Sequence, residues 1–382
     1  MLKFFQRKPK EEDIDSLPET GEDPKVEAAS QWKLMWWKFR RDRLAVVGGI
    51  VVIITYLIAF HCEFFTPKSA EWFDKTYVFA PPQPIRLFLD GKWYPFVYGL
   101  KFERDPKSFK KIFAIDYDTI VPIGFFVHGE PYKLWGFIPM DIRLYGPKNA
   151  NDPFFLLGAD KSGRDMLSRI IYSARVSLTV GLVGVFVSLI IGIVVGGISG
   201  LLGGWVDNVI QRTIEILLSV PQVPILLALA AVVPVTWNPV QVYLMISLIL
   251  SLVSWTGMAR VVRGRFLALR TEDFILAAIL DGAGQLRLVL RHMLPSFFSH
   301  IMASITLSIP YMILGETFFS FLGVGLRPPV VSWGVMLQET RQIASVALYP
   351  WLLAPAFAVV IVVLSMNFLG NGLRDAADPY AN

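Results

Sequence analysis

The chain has 382 residues, 54% of them hydrophobic and 18% charged, with a mean hydropathy of +0.51 and a net charge of +5. A soluble domain carries about 25% charged residues, so the composition excludes an ordinary soluble protein and points to a membrane protein with a sizeable polar part. The charges are segregated along the chain, which argues against nucleic acid as a partner, and a lone Cys62 excludes an internal disulfide.

Residues 1–30 are charged and punctuated by Pro and Gly, which predicts a disordered tail. The first forty residues are polar, so no cleavable signal peptide is expected. In QWKLMWWKFRRDR, Trp32, Trp36 and Phe39 recur at helical spacing among Lys33, Lys38, Arg40, Arg41 and Arg43. That pattern predicts an interfacial helix with aromatics in the headgroups and cations toward anionic lipid. A first span follows over 44–62, its uncharged run from Leu44 to Phe60 close to the minimum length for a bilayer. The basic flank places the N-terminus in the cytoplasm.

Residues 63–155 differ in kind, being rich in Pro, Tyr, Trp and Lys without a long apolar run. LFLDGKWYPF, with Asp90-Gly91 at its centre, predicts a hairpin. A small mixed or β-rich external domain is expected, since long domains translocate whatever their charge. Asp160, Arg164, Asp165, Arg169 and Arg175 alternate in sign along an amphipathic stretch expected on the outer face. The uncharged run Val176–Val206 is read as one long tilted helix. Within it Gly192, Gly196, Gly200 and Gly204 form a stripe for close helix packing.

Asp207, Arg212 and Glu215 predict a short polar turn at the inner surface, with Arg212 and Glu215 as a local ion pair. The uncharged run Ile216–Met258 is too long for one span, and Pro234 with Trp237-Asn238-Pro239 divides it into two. Arg260, Arg263, Arg265 and Arg270 open a basic loop over 260–297, and the loop between spans three and four has no Lys or Arg, which places 260–297 in the cytoplasm. Ser296–Val324 is a fifth span containing Glu316, Arg327–Arg341 a Pro-rich outer loop, and Ala344–Leu373 a sixth span interrupted by Pro350 and Pro355. Both termini are thus expected in the cytoplasm, around a core over 156–382.

The stretch Thr271–Pro295 has its own pattern. Ala277 and Ala278 are followed by Gly282 and Ala283, then a leucine-bearing run to Leu294-Pro295. Small residues permit close approach, Gly permits a sharp turn, and Pro at a first helical turn loses no hydrogen bond. A helix–turn–helix lying on the membrane face and shaped for docking is expected.

The spacing of Ala277-Ala278, Gly282 and Leu294-Pro295 resembles the signature of ABC importer permeases. Gly158-x-Asp160-x-x-Gly163-Arg164-Asp165-x-x-Ser168-Arg169 resembles the dipeptide/oligopeptide subfamily, in particular its C-type permeases. So do Gly203-Gly204-Trp205-Val206-Asp207, Ser320-Phe321-Leu322-Gly323 with Pro328-Pro329 and Ser332-Trp333-Gly334, and Gly372-Leu373-Arg374-Asp375 with Asp378-Pro379. The resemblance covers 31–62 and 155–382. It departs from the signature at Leu276, where Glu is usual, and at Asp281, where an apolar residue is common.

The resemblance implies an all-α polytopic membrane protein with six transmembrane helices of the type I importer permease fold, interrupted by the external insert. It implies that Ala277, Ala278, Asp281, Gly282, Ala283 and Pro295 form a coupling helix seated in a cleft of an ATPase subunit. It further implies two ATPase subunits, a second homologous permease, an extracytoplasmic substrate-binding protein, and peptides as cargo. Oligosaccharides or metal chelates are the alternative within that class.

Rival chemistry is weak. Gly158-ADKS-Gly163 has P-loop glycine spacing but is followed by Arg164-Asp165, and Asp would repel phosphate. Gly197-Ile198-Ser199-Gly200 resembles an intramembrane serine nucleophile, but His292 and His300 lie outside the depth of a span. Neither metal-ligand spacing nor a cofactor motif stands out, and a secondary carrier would call for internal repeats and several intramembrane charges. Glu316 has two readings: it lines a translocation route or a subunit interface, or it sits wet near the outer end of its span. A mid-membrane carboxylate costs about 2.5–3.5 kcal/mol, which requires partners.

Overall fold

The computed structural model describes residues 31–104, 106, 111–234 and 236–377. The tail expected over 1–30 and the motif at Asp378-Pro379 lie outside the described residues. The first helix, α1 (Gln31–Arg41), lies beside α2 (Arg43–Phe60). Asp42 starts α2 by accepting from the Leu44 and Ala45 N–H groups at 2.9 and 3.2 Å, which satisfies donors that the helix itself leaves free. The aromatics of α1 do not all serve the headgroups: Trp36 is exposed, whereas Phe39 is buried against Ala45 and Ala376. A Cβ on Gly48 would stand 2.5 Å from the Ser365 carbonyl, so α2 can press against the final helix only because that position is glycine.

The insert is a four-stranded antiparallel meander of β1 (Arg86–Leu89), β2 (Lys92–Arg104), β3 (Lys111–Leu134) and β4 (Ile138–Pro147). The expected hairpin forms, with Asp90 and Gly91 at φ 48° and 76°, the left-handed pair that a two-residue turn requires. The long β3 pairs with β2 through its first half and with β4 through its second. Val97, Val121, Ile123 and Phe154 form a core beneath it. Buried Arg143 ties the sheet to the end of the first span by donating to the Thr66 carbonyl at 2.9 Å.

Two expected boundaries change. The end of the amphipathic stretch, with Arg169 and Arg175, and the second span are one helix, α3 (Met166–Leu202), begun by Asp165 accepting from the Ser168 N–H at 2.7 Å. The third span is not a single rod. α4 (Gly204–Ser219) and α5 (Gln222–Ala231) meet at an 85° bend. Pro221, without an N–H, stands at this additional break, whereas Pro234 and Pro239 flank the expected gap between α5 and the next helix. α6 (Pro239–Leu269) begins with a reciprocal cap: Asn238 accepts from the Gln241 N–H at 2.9 Å while Gln241 accepts from the Asn238 N–H at 3.0 Å. Arg260, Arg263 and Arg265 therefore belong to α6, and the segment read as a loop from 260 starts only past Leu269.

After α6 come a short α7 (Asp273–Leu280), α8 (Phe298–Leu322) and α9 (Ala354–Ala377). Among the described residues five helices are long and apolar enough to cross a membrane, and six spans result when the bent α4–α5 pair is counted as one. α1, α7 and the C-terminal end of α9 gather at one end of the bundle, where the Ser299 hydroxyl reaches Met35 Sδ at 3.3 Å. The sheet occupies the other end, where Trp351 donates to the Ala159 carbonyl at 3.0 Å.

Candidate functional site: an exposed helical handle

α7 is split into two faces. Ile275 and Ala278 are buried among Phe266, Leu288, Met293 and Phe297, which roots the helix in α6 and α8. Phe274, Leu276, Ile279 and Leu280 point outward, and Leu286 and Leu290 extend this apolar face beyond the turn. The sequence pairs Ala277 with Ala278, but the structure separates them: Ala277 is exposed and Ala278 is inside. The helix stops in a Schellman turn. Gly282, at φ 78°, donates to the Ile279 carbonyl, and Ala283 donates to the Ala278 carbonyl, both at 3.0 Å. Asp281 is the exposed residue at that turn, with its N–H bonded to the Ala277 carbonyl at 2.9 Å. The chain then passes a π-helical turn over Leu288–Met293, and exposed Pro295 lies in the short turn that leads to α8.

The handle stands on a welded helix pair. Cβ atoms added to Gly192 and Gly200 would stand 2.6 Å and 2.7 Å from the Cβ atoms of Met258 and Phe266, and one on Gly196 would meet the Ala259 carbonyl. These glycines let α3 and α6 touch backbone to backbone. Gly204 does not belong to that stripe. Gly203 and Gly204 take φ 61° and 55°, which ends α3, and a Cβ on Gly204 would meet nothing within 4 Å.

Below the stripe, Asp207 receives both arms of Arg263, Nε at 2.5 Å and Nη2 at 2.6 Å, together with the Ser199 hydroxyl at 2.5 Å. One carboxylate thus joins α3, α4 and α6. Ser199 donates its hydroxyl hydrogen bond to that ion-paired carboxylate, which is the geometry of a clamp and not of an activated nucleophile. The sequence reading treats Arg263 only as a topogenic charge; the available signal was an acidic residue at the start of α4, in need of a cation. Arg212 and Glu215 form the expected local pair, at 2.6 Å on the surface.

Glu316 is fully buried and lines no opening. Its Oε1 accepts from the Ser320 and Ser332 hydroxyls at 2.7 and 2.8 Å, and its Oε2 from the Ser177 hydroxyl at 3.3 Å. Ser177 in turn accepts the Trp333 N–H at 3.2 Å, and Ser320 the Leu326 N–H at 3.0 Å. The wet reading is replaced, because no part of the side chain reaches the surface. The carboxylate knots α3 and α8 to the Pro-rich segment between α8 and α9.

The glycine-bearing loop 158–165 is likewise structural. Gly158 and Gly163 both have φ 78° and press on Trp351 and on the Asp74 carbonyl. Asp160 occupies the backbone N–H groups of Ser162 and Arg164 and pairs with the side chains of Arg164 and Arg169 at 2.6 and 2.7 Å. The donors a phosphate would need are already used by a carboxylate. Burial pushes the adjacent Asp165 carboxyl up to about 6.

Compared with known proteins, residues 189–381 match the family model described as binding-protein-dependent transport system inner membrane component. Residues 30–82 match the N-terminal TM domain of oligopeptide transport permease C. The oligopeptide transport system permease protein OppC of Escherichia coli K12 is 44% identical over 223 residues, 58% of this chain and 71% of that protein. The dipeptide transport system permease protein DppC of Alkalihalophilus pseudofirmus is 36% identical over 239 residues, 62% of this chain and 74% of that protein. A solved structure of the MetNI methionine ABC transporter in inward-facing conformations includes a chain with a TM-score of 0.45 and 19% identity, covering 55% of this chain and 97% of that one.

Proposed function

The chain belongs to the family of binding-protein-dependent transport system inner membrane components, and from that premise we propose how it works. It is a multi-pass permease subunit of an ABC importer for peptides, as its relatives' names and its apolar helices support. α7 is the element on which an ATPase subunit seats. The observation that carries this is an apolar face left open on a helix whose other face is locked into the bundle. Such a face in water is a docking surface, because scattered apolar side chains need no partner but a contiguous group does. Placed in the cytoplasm, as the basic residues around it favour, it converts ATPase closure into motion of α6 and α8.

The assembly we infer has two ATPase subunits, a second and homologous permease, and a binding protein that delivers peptide at the sheet-bearing face. Both termini then lie in the cytoplasm. ATP is hydrolysed on the partner chains, and this chain changes shape without covalent chemistry. Peptide recognition itself is shared with the delivering protein, and the helices supply the passage.

Ala277→Arg tests the handle. Ala277 is exposed, so the variant is expected to insert and fold as the parent does, while ATP-driven peptide uptake into proteoliposomes is lost and the ATPase no longer co-purifies. Uptake at the parental rate with the ATPase still attached would refute α7 as the seat.

A further inference from the structure

The tip joining β3 to β4 reads Lys133-Leu134-Trp135-Gly136-Phe137-Ile138, five apolar or small residues after one cation. It is exposed, with Phe137 at 69%. A protruding loop of this composition in water would be a liability. Its position resolves the contradiction. The Trp135 indole N–H donates at 3.2 Å to the carbonyl of Phe60, the last residue of α2. The Trp135 and Phe60 rings lie 5.2 Å apart. That same carbonyl accepts from Arg175 Nη2 at 2.9 Å. A helix-end carbonyl satisfied by an indole and a guanidinium is the arrangement of the bilayer boundary, where Trp and Arg present an apolar body and a polar tip.

The tip therefore sits at the depth where the first span ends. It also continues the face of α2 formed by exposed Ile53, Leu57 and Phe60, which in a spanning helix faces lipid. Phe126 extends the apolar surface: it is 65% exposed and its ring lies 6.3 Å from that of Phe64, just past the span. Trp135 and Phe126 both hold φ of 53°, a left-handed backbone that costs an L-residue energy. Where a polar Asn or a Gly would have been easier, the chain places large aromatics.

We propose that the β3–β4 tip is a membrane wedge, its aromatic residues lodged in the headgroup and upper acyl region of the leaflet at which α2 ends. Lys133 lies at the headgroup level. The wedge and the rest of the chain then hold β3 at both ends, since Lys111 at its start donates to the Lys75 and Thr76 carbonyls at 2.8 and 2.7 Å.

The test uses single-cysteine variants, Phe137→Cys at the tip and Glu103→Cys at the opposite end of the sheet, each labelled with a small environment-sensitive fluorophore. Cys62 is fully buried and stays in place, with the parent chain as the labelling control. In phosphatidylcholine nanodiscs carrying a nitroxide near the headgroup end of the acyl chain, the probe at 137 should be quenched several-fold more than the probe at 103. Aqueous iodide should show the reverse order. Equal iodide quenching at both positions, with no effect of the nitroxide lipid at 137, would overturn the wedge. So would a probe at 137 that becomes shielded only when the substrate-binding protein is added, since the face would then be a protein-docking site.

Discussion

Leu280 offers the sharpest test of the docking face. It ends α7, is 88% exposed and has no place in the cluster that roots the helix. Leu280→Ala removes three carbon atoms, worth about 0.8 kcal/mol each when buried. If the partner covers most of what is open, the loss is about 2 kcal/mol of association, or roughly 30-fold in the dissociation constant. Folding should be untouched, because the side chain contacts nothing that holds the chain together. Ile275→Ala is the contrast. Ile275 is 2% exposed inside the cluster, so its truncation should cost about 2–5 kcal/mol of stability. The assay titrates purified ATPase onto the permease in nanodiscs, with thermal unfolding measured in parallel. A dissociation constant for Leu280→Ala within about twofold of the parent, alongside intact uptake, would refute the docking face, since that ratio corresponds to only about 0.4 kcal/mol.

Two further substitutions probe the buried groups. Glu316→Gln keeps an oxygen for Ser320 and Ser332 and offers an amide to Ser177, so stability should stay within about 1 kcal/mol, whereas Glu316→Ala deprives three hydroxyls of their acceptor and should cost at least about 3 kcal/mol, read by unfolding in detergent. Equal losses in both variants would mean that charge itself is required there. Asp165 gives a pH signature: burial raises its carboxyl from 3.8 to about 6, so its stabilising neutral form is complete below about pH 4 and lost as pH climbs through about 6, a swing on the order of 3 kcal/mol. Asp165→Asn retains a capping oxygen, and its unfolding midpoint should match the parent near pH 4 and exceed it above about pH 7; a pH-independent difference would contradict the assignment.

What could be read from the sequence follows from the range of the interactions involved. Long uncharged runs and the Asp90-Gly91 turn depend on neighbours within a few residues, so the spans and the hairpin were legible. The stop of α7 at Gly282 was legible for the same reason, as a left-handed residue closing a short helix. The partners of Glu316 were not legible, because they are Ser177, Ser320 and Ser332, two of them distant in the chain and none of them charged. Hydropathy sees a carboxylate in an apolar run and cannot see three hydroxyls converging on it. Pro234 and Pro239 correctly marked the gap between α5 and α6, but the α4–α5 bend was not foreseen, because four prolines lie in that region and only packing decides that the chain also turns at Pro221. Gly204 was added to the stripe by its spacing, although a fourth residue in register is of no use once the helix has ended.

With α7 as the proposed ATPase seat, the joint between α3 and α6 would give so short a handle its purchase on a large bundle. The glycines bring the two backbones close, Gly196 directly against the Ala259 backbone and Gly192 and Gly200 against the Cβ atoms of Met258 and Phe266, so little compliant layer is left to absorb a displacement. The Asp207–Arg263 pair adds α4 to the same block, next to the residues on which α7 is packed. Ile275 and Ala278 reach that block through Phe266, and α8 through Phe297. A load applied to the open face of α7 therefore moves α3, α6 and α8 together at that end. At the other end the Glu316 knot again joins α3 to α8, so relative motion must be taken up where the helices are already interrupted, at the 85° bend between α4 and α5. A bundle stiff at both ends and broken in one span can switch as a whole, which is the mechanical property that ATP-driven alternation of a passage requires.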